Sequence, residues 1–447
     1  MNSSNQIKWG AILSYISIAA DILAGLLYTP WMIAAIGKSQ YGLYTLANSV
    51  ITLFLVDFGL SSATGRFLAK YHAEGNREQA ERFLGAVYRL YLLIDAVILA
   101  ILMGIFFAVD HIFVNLTDAE LEQFRVVYAI SAAFSVANFP FLTFNGILTS
   151  YEAFVPLKAA DLLYRVCNVA FTVLALLLGC GLYALVTVRA IVGLLVTGFK
   201  YIVIREKVPL KADFRHRDRG IYREIFGFSV WATVSSLASR LVFNITPSIL
   251  GMVADSAAIA VFGIVLTIEG YAFSLTTAIN GLFLPKVSRI IASKQSGEAL
   301  NELFINVGRF QYLVNGLLIV GFAVVGQSFI DLWIGEQYRG AYGGILLVLL
   351  PGLFYNALQI ANTAMMVTNK IKMVAEINLI TGIVNVCFSF PMAERYGVLG
   401  ACGSICIAYF IRAGISNIVY YRELSLDIPR FVKACYFRMS IPMVLTT

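Results

Sequence analysis

Long apolar runs along this chain are separated by short polar segments. A helix crossing the hydrocarbon core of a bilayer needs about 20 consecutive apolar residues. Twelve runs meet that length: 9–36, 41–63, 86–108, 124–148, 158–179, 182–204, 225–251, 257–284, 310–334, 344–367, 373–391 and 398–420. A thirteenth begins at Met439 and stops at Thr447. The pattern predicts an all-α polytopic membrane protein with at least twelve spans.

Composition agrees. Of 447 residues, 59% are hydrophobic and 13% charged, with a mean hydropathy of +0.80. Soluble domains carry about 25% charged residues, so too little polar surface remains for a soluble particle. Disordered, fibrous and secreted-miniprotein classes are excluded on the same grounds. Six cysteines lie in apolar runs or on the side assigned below as cytoplasmic. They form no CxxC pair and no Cys/His set, so neither a disulfide frame nor a zinc site is expected. The first apolar run is too long for a signal-peptide core.

The net charge of +7 would suggest nucleic acid in a soluble protein. Its distribution gives another reading. With the N-terminus cytoplasmic, 23 Lys and Arg fall in inside segments, against only Lys38, Arg339 and Arg395 outside. This is the positive-inside bias. The expected partners are therefore membrane lipids and not nucleic acid. The outside loops are too short to hold a catalytic domain, so no enzyme activity is expected.

An internal repeat is visible at an offset of 217 residues. Thr29-Pro30 recurs as Thr246-Pro247, Asn168-Val169 as Asn385-Val386, and Arg205-Glu206 as Arg422-Glu423. Gly10/Gly227, Gly104/Gly321, Asn145/Asn362 and Ala184/Ala401 keep the same offset. Each repeat holds six spans, an even number, so both enter the membrane in one direction. This predicts two parallel six-helix lobes about a pseudo-two-fold along the membrane normal, the architecture of an alternating-access carrier. The expected division is a lobe over 1–206, a basic linker over 207–222, a second lobe over 223–423 and the start of a further span over 424–447. Pro30 and Pro247 are expected to bend equivalent helices. Segments 66–85 and 286–305 read as amphipathic helices on the membrane surface.

Charges at membrane depth are costly and face cavities or partners. Asp21, Asp57, Arg240 and Glu269 fall within spans 1, 2, 7 and 8. As repeat counterparts, these spans are expected to line one polar cavity. Guanidinium pairs bidentately with phosphate, so Arg240 is a candidate contact for an anionic group. Asp21, Asp57 and Glu269 are candidate proton or sodium sites, or partners that hold Arg240. The alternative is an ion-pair set that only orders helices. Arg189 and Arg412 are further cavity candidates, and Arg66 lies at the inner mouth within reach of a headgroup phosphate. Asp161 and Arg165, four apart on one helix, are expected to pair. Gly37-Lys38-Ser39 lacks the earlier glycine of a phosphate loop, because position 32 is Met32. His72, His111 and His216 are scattered and suggest no metal site.

Tyr28-Thr29-Pro30, then Gly37 followed by Tyr41-Gly42-Leu43-Tyr44, then Asp57-Phe58-Gly59-Leu60 with Arg66, together resemble the oligosaccharide (O-antigen-type, Wzx-like) flippases. These belong to the multidrug/oligosaccharidyl-lipid/polysaccharide exporter superfamily, whose multidrug branch gives the MATE-like fold. The resemblance covers essentially the whole chain. It implies translocation of undecaprenyl-pyrophosphate-linked oligosaccharide across the bacterial cytoplasmic membrane, for surface polysaccharide and O-antigen biosynthesis. It also implies arginines for the pyrophosphate, with Arg240 best placed, and an H+ or Na+ gradient in place of a cofactor. Polysaccharide polymerase and export machinery become expected partners, and fourteen spans the expected full-length count. The acids of spans 1 and 2 set this chain apart from the arginine-rich lipid II branch. They keep a MATE-type cation/drug antiporter as the alternative.

Overall fold

The computed structural model describes residues 3–215, 219–292, 297–368 and 370–440. Among these the chain is helical with no strand. It divides into two compact units, Met1–Thr233 and Val234–Thr447.

The first unit begins with α1 (Ser3–Ile36), α2 (Lys38–Phe54), α3 (Leu60–Ala73), α4 (Arg77–Ile112) and α5 (Asp118–Asn138). It continues with α6 (Thr143–Ser150), α7 (Phe154–Leu177), α8 (Gly181–Lys207) and the start of α9 (Arg219–Phe243). The predicted span 41–63 is broken. Phe58 and Gly59 both adopt positive φ, at 52° and 66°, a conformation that ends a right-handed helix. A Cβ on Gly59 would lie 3.0 Å from the Ala232 Cβ, so the break also seats α9 closely. The small residues after it have a packing role. A Cβ on Gly146 of α6 would lie 2.4 Å from the Ser61 carbonyl of α3, so the two backbones touch.

Segment 66–85 is not a surface helix. It is the end of α3 and the start of α4, joined by a turn in which Gly75 takes φ 66° and the Asn76 side chain caps α4 at the Gln79 N–H, 3.1 Å. Phe67, Leu68, Phe83 and Leu84 are buried, and the Phe67 and Phe83 rings lie 5.4 Å apart. Their apolar faces pack on each other and not on lipid headgroups. Of segment 286–305, the described residues are the end of one long helix, to Ala292, and the start of the next, from Gly297; residues 293–296 lie outside the described ones. Thr117 and Glu120 form a capping box that starts α5, which gives the Thr117 hydroxyl a structural use.

The second unit holds the rest of α9, α10 (Ile245–Val253), α11 (Ser256–Ala292), α12 (Gly297–Trp333), α13 (Ala341–Leu349) and α14 (Gly352–Ala357). It ends with α15 (Gln359–Val367), α16 (Ile371–Leu424), the short α17 (Ile428–Phe431) and a π-helical turn over Val432–Phe437. Gly397, at φ 55° and ψ −132°, divides α16 into two helices. Phe431 fills the space left by Gly308, where a Cβ would lie 2.6 Å from the ring. Residues 441–447, most of the thirteenth run, lie outside the described ones.

Nine helices among the described residues are long and apolar enough to cross a membrane, and the segment 341–367, bent by 47°, is a tenth. The division of α16 at Gly397 adds one, while α2, at 17 residues, covers only the first part of the broken run 41–63.

Candidate functional site

The charges at membrane depth fall into local arrangements within each unit. In the first unit Arg189, on α8, donates to Asn48 Oδ1 on α2 at 2.8 Å, with the Tyr44 and Tyr164 hydroxyls beside it. Among the described residues no carboxylate pairs with it. Asp57 lies at the α2–α3 break. Its carboxylate accepts the Tyr91 hydroxyl and, at 3.2 Å, the Ser61 N–H. It thus serves an orphan donor of the first turn of α3. Arg66 is exposed on α3, with its guanidinium 5.9 Å from the Phe67 ring centroid. The Asp21 side chain lies outside the described residues.

Asp161 does not pair with Arg165. It is shared by Lys158 and Lys200, each at 3.4 Å, while Arg165 donates to the Ser17 carbonyl at 3.3 Å. Lys200 also donates to Asn145 Oδ1 at 3.0 Å. Tertiary packing of α7 on α8 supplies a partner 39 residues away that helical spacing does not reveal.

In the second unit Arg412 lies on the second half of α16. Its guanidinium stacks 4.1 Å from the Tyr355 ring centroid and 5.3 Å from that of Tyr409. Its Nη2 donates to the Tyr355 hydroxyl at 2.6 Å, and its buried Nε has no partner among the described residues. Asn362 donates to the same hydroxyl at 3.1 Å and accepts from Tyr420 at 2.8 Å. Such a cage places the cation over negative ring faces and hydroxyl oxygens. Among the described residues no carboxylate pairs with Arg412.

Glu269, on α11, lines a cavity of about 20 Å³ with Asn315, Asn356, Tyr355 and Tyr409, room for about one water molecule. Among the described residues it makes no hydrogen bond or ion pair. Asn356 donates to Asn315 at 3.1 Å, and a second amide chain runs from Gln311 through Asn280 to Gln359 at 2.6 and 2.8 Å. Arg240 is half-buried in the last turn of α9. It does not pair with Glu269; Phe243, one turn further on, lines the Glu269 cavity instead. The tyrosines and amides around Arg412 and Glu269 carry no formal charge and do not interrupt an apolar run, so a search for charges passes over them. The repeat pair Asn145/Asn362 was the one sequence signal that touched these networks.

An all-helical chain of broken spans, with charged and amide side chains buried inside each unit, has the form of a polytopic membrane transporter. The sequence profile of the Polysaccharide biosynthesis protein family matches residues 8–291, and the chain belongs to that family. It is 26% identical over 208 residues to a putative O-antigen transporter of Shigella flexneri, covering 46% of this chain and 48% of that one. It is 24% identical over 206 residues to the capsular polysaccharide biosynthesis protein CapF of Staphylococcus aureus, covering 45% and 51%. The matches thus span about half the length of these curated relatives. In fold it is similar to an inward-facing multidrug resistance MATE family transporter of the MOP superfamily, with a TM-score of 0.74 at 14% identity over 93% of this chain and 98% of that one. It is similar also to the lipid II flippase MurJ in an inward closed conformation, with a TM-score of 0.71 at 14% identity over 99% and 91%.

Proposed function

We propose that this protein is a flippase for lipid-linked oligosaccharides in the bacterial cytoplasmic membrane, with its N-terminus on the cytoplasmic side. Its cargo is an undecaprenyl-pyrophosphate-linked sugar unit destined for surface polysaccharide. The cycle is alternating access driven by a proton or sodium gradient, and polymerase and export machinery receive the product. The observation that carries the reading is the presence, inside each unit, of a guanidinium with no carboxylate partner among the described residues: Arg189 in the first and Arg412 in the second. A lone cation at membrane depth costs several kcal/mol, and a pyrophosphate supplies the missing anion. Arg240 is a further phosphate contact proposed in the second unit, and Arg66 a headgroup contact in the first. Asp21 and Glu269 are the ion-responsive carboxyls. Asp57, occupied at the start of α3, has a structural share in the same region.

Reconstitution into liposomes with a lipid-pyrophosphate oligosaccharide tests this, scoring sugar that becomes accessible on the far side. The wild type should equilibrate the label, and Arg240→Ala and Arg412→Ala should each slow it at least tenfold while still inserting. Arg240→Lys, which keeps the charge but loses the fork, should be partly active. Absence of flipping by the wild type, or full activity of both alanine variants, defeats the proposal. Glu269 favours a second reading, cation/drug antiport, because an unpaired carboxylate in a water-sized cavity suits a cationic cycle. Efflux of a cationic dye that Glu269→Gln abolishes, with no sugar flipping, would select it.

A further inference from the structure

A groove of about 460 Å³ opens in the first unit where α4, α6 and α8 meet the extended segment 208–215. It lies at the end of the unit that carries the basic loops. Its lining is of two kinds. Tyr88, Phe144 and Tyr201 are aromatic, with Phe144 and Tyr201 stacked at 6.2 Å. Arg77, Arg205 and Lys211 are basic.

These cations differ in their partners. Arg77 is paired with Glu81 at 3.0 Å. The same Glu81 carboxylate accepts the Lys211 N–H at 3.2 Å, and the Glu81 carbonyl accepts the Asp213 N–H at 3.0 Å. Glu81 is thus committed to holding the extended segment down. Gly85 lets that segment approach, since a Cβ there would lie 1.8 Å from the Asp213 carbonyl. The Arg205 guanidinium lies 5.7 Å from the Tyr201 ring centroid, and neither it nor the Lys211 ammonium has a carboxylate partner among the described residues. The segment is therefore held against α4, with two cations that no described carboxylate neutralises lining the same groove as the aromatic rings.

We infer that this groove binds an anionic phospholipid of the adjacent leaflet. Its phosphate lies between Arg205 and Lys211, and its acyl chain runs along Tyr88 and Phe144. Aromatic rings belong at headgroup depth, and paired cations recognise a phosphate that a zwitterionic lipid presents with its charge already balanced. This assignment does not depend on which cargo the protein carries.

Native mass spectrometry of the purified full chain with phosphatidylglycerol and phosphatidylcholine tests it. Phosphatidylglycerol should be retained preferentially. Each cation is worth roughly fivefold in affinity, so Arg205→Ala/Lys211→Ala should weaken retention roughly twentyfold. The charge-preserving Arg205→Lys/Lys211→Arg should bind as the wild type, which separates loss of charge from loss of fold. Arg422→Ala, on a basic segment of the second unit, should leave retention unchanged. Equal retention of the two lipids, or undiminished binding by the double alanine variant, overturns the inference. So does a polyprenyl pyrophosphate that displaces phosphatidylglycerol and itself depends on Arg205 and Lys211, because the groove then belongs to the cargo.

Discussion

Positions 217 residues apart in the two units meet the same local problems with different chemistry. In the first unit α1 runs through Pro30 without a break, and the buried Oδ1 of Asn168 has no partner among the described residues. In the second unit the helix stops at Asn244, three residues before Pro247. There the Asn385 amide donates to the Leu241 and Val242 carbonyls at 3.1 and 3.2 Å. Proline removes one backbone donor and crowds the preceding turn. In lipid no water reaches the carbonyls left open at a helix break. Asn385 serves those of residues 241 and 242 just before the break in the second unit, while among the described residues Asn168, at the offset position, donates no such bond. Where the first unit pairs Asp161 with Lys200, the second has Asn378 and Asn417 at the same offset, whose buried Oδ1 atoms accept no hydrogen bond among the described residues. At these positions the two units differ in their polar contacts.

The sharpest way to break this comparison is at a glycine. Gly146 has Thr363 as its repeat counterpart. Gly146→Thr gives the first unit the second unit's residue, but the new Cβ would stand 2.4 Å from the Ser61 carbonyl and 2.7 Å from the Thr64 Cβ. Overpacking of this kind costs about 1–3 kcal/mol or more, and here it forces α3 from α6. The variant should lose the most stability of those considered, read as a fall in thermal midpoint in detergent. An unchanged midpoint would mean that the two helices are not held backbone to backbone.

The asparagine pair comes next. Asn385→Leu removes the amide contacts to the carbonyls of Leu241 and Val242 and to the Thr246 hydroxyl, and the oxygen that accepts from Ser404, at a buried site. Bonds between membrane helices average about 0.6 kcal/mol, with a maximum near 1.7, so the loss should be about 1–3 kcal/mol. Asn168→Leu removes an oxygen that has no partner, and replacing an unsatisfied group by an apolar one is close to neutral or stabilising. Opposite signs for the two variants are expected; equal losses would remove the asymmetry.

Much of the fold was legible because lipid imposes a length on every apolar run and the basic residues mark one side. The offset of 217 residues was legible because Thr-Pro and Asn-Val pairs are uncommon enough to stand out. The breaks were not legible. Asp57-Phe58-Gly59 is a short string inside an apolar run, and positive φ at a phenylalanine has no signature in hydropathy. The surface-helix reading of 66–85 failed because apolar residues alternating with charges look alike whether they face headgroups or another helix. Of the candidate site, the charges were legible and their partners were not. Tyr355, Tyr409 and Tyr420 surround Arg412 from distant positions, and tyrosine counts as apolar in any search for spans.

The smallest effect concerns Asp161 and Lys200. Their side chains are 38% and 14% exposed, and Lys200 has a second acceptor in Asn145. A partly exposed pair at 3.4 Å is screened and gives up side-chain freedom to form. Asp161→Asn should therefore cost about 1 kcal/mol or less, and Lys200→Asn a similar amount. The double variant recreates the Asn378/Asn417 arrangement of the second unit and should be little worse than either single change, with a coupling of about 0.5–1 kcal/mol in a double-mutant cycle. A coupling above about 3 kcal/mol would show that the first unit depends on this pair as on a fully buried one. The amides of the second unit would then be a real loss of stability and not a neutral exchange.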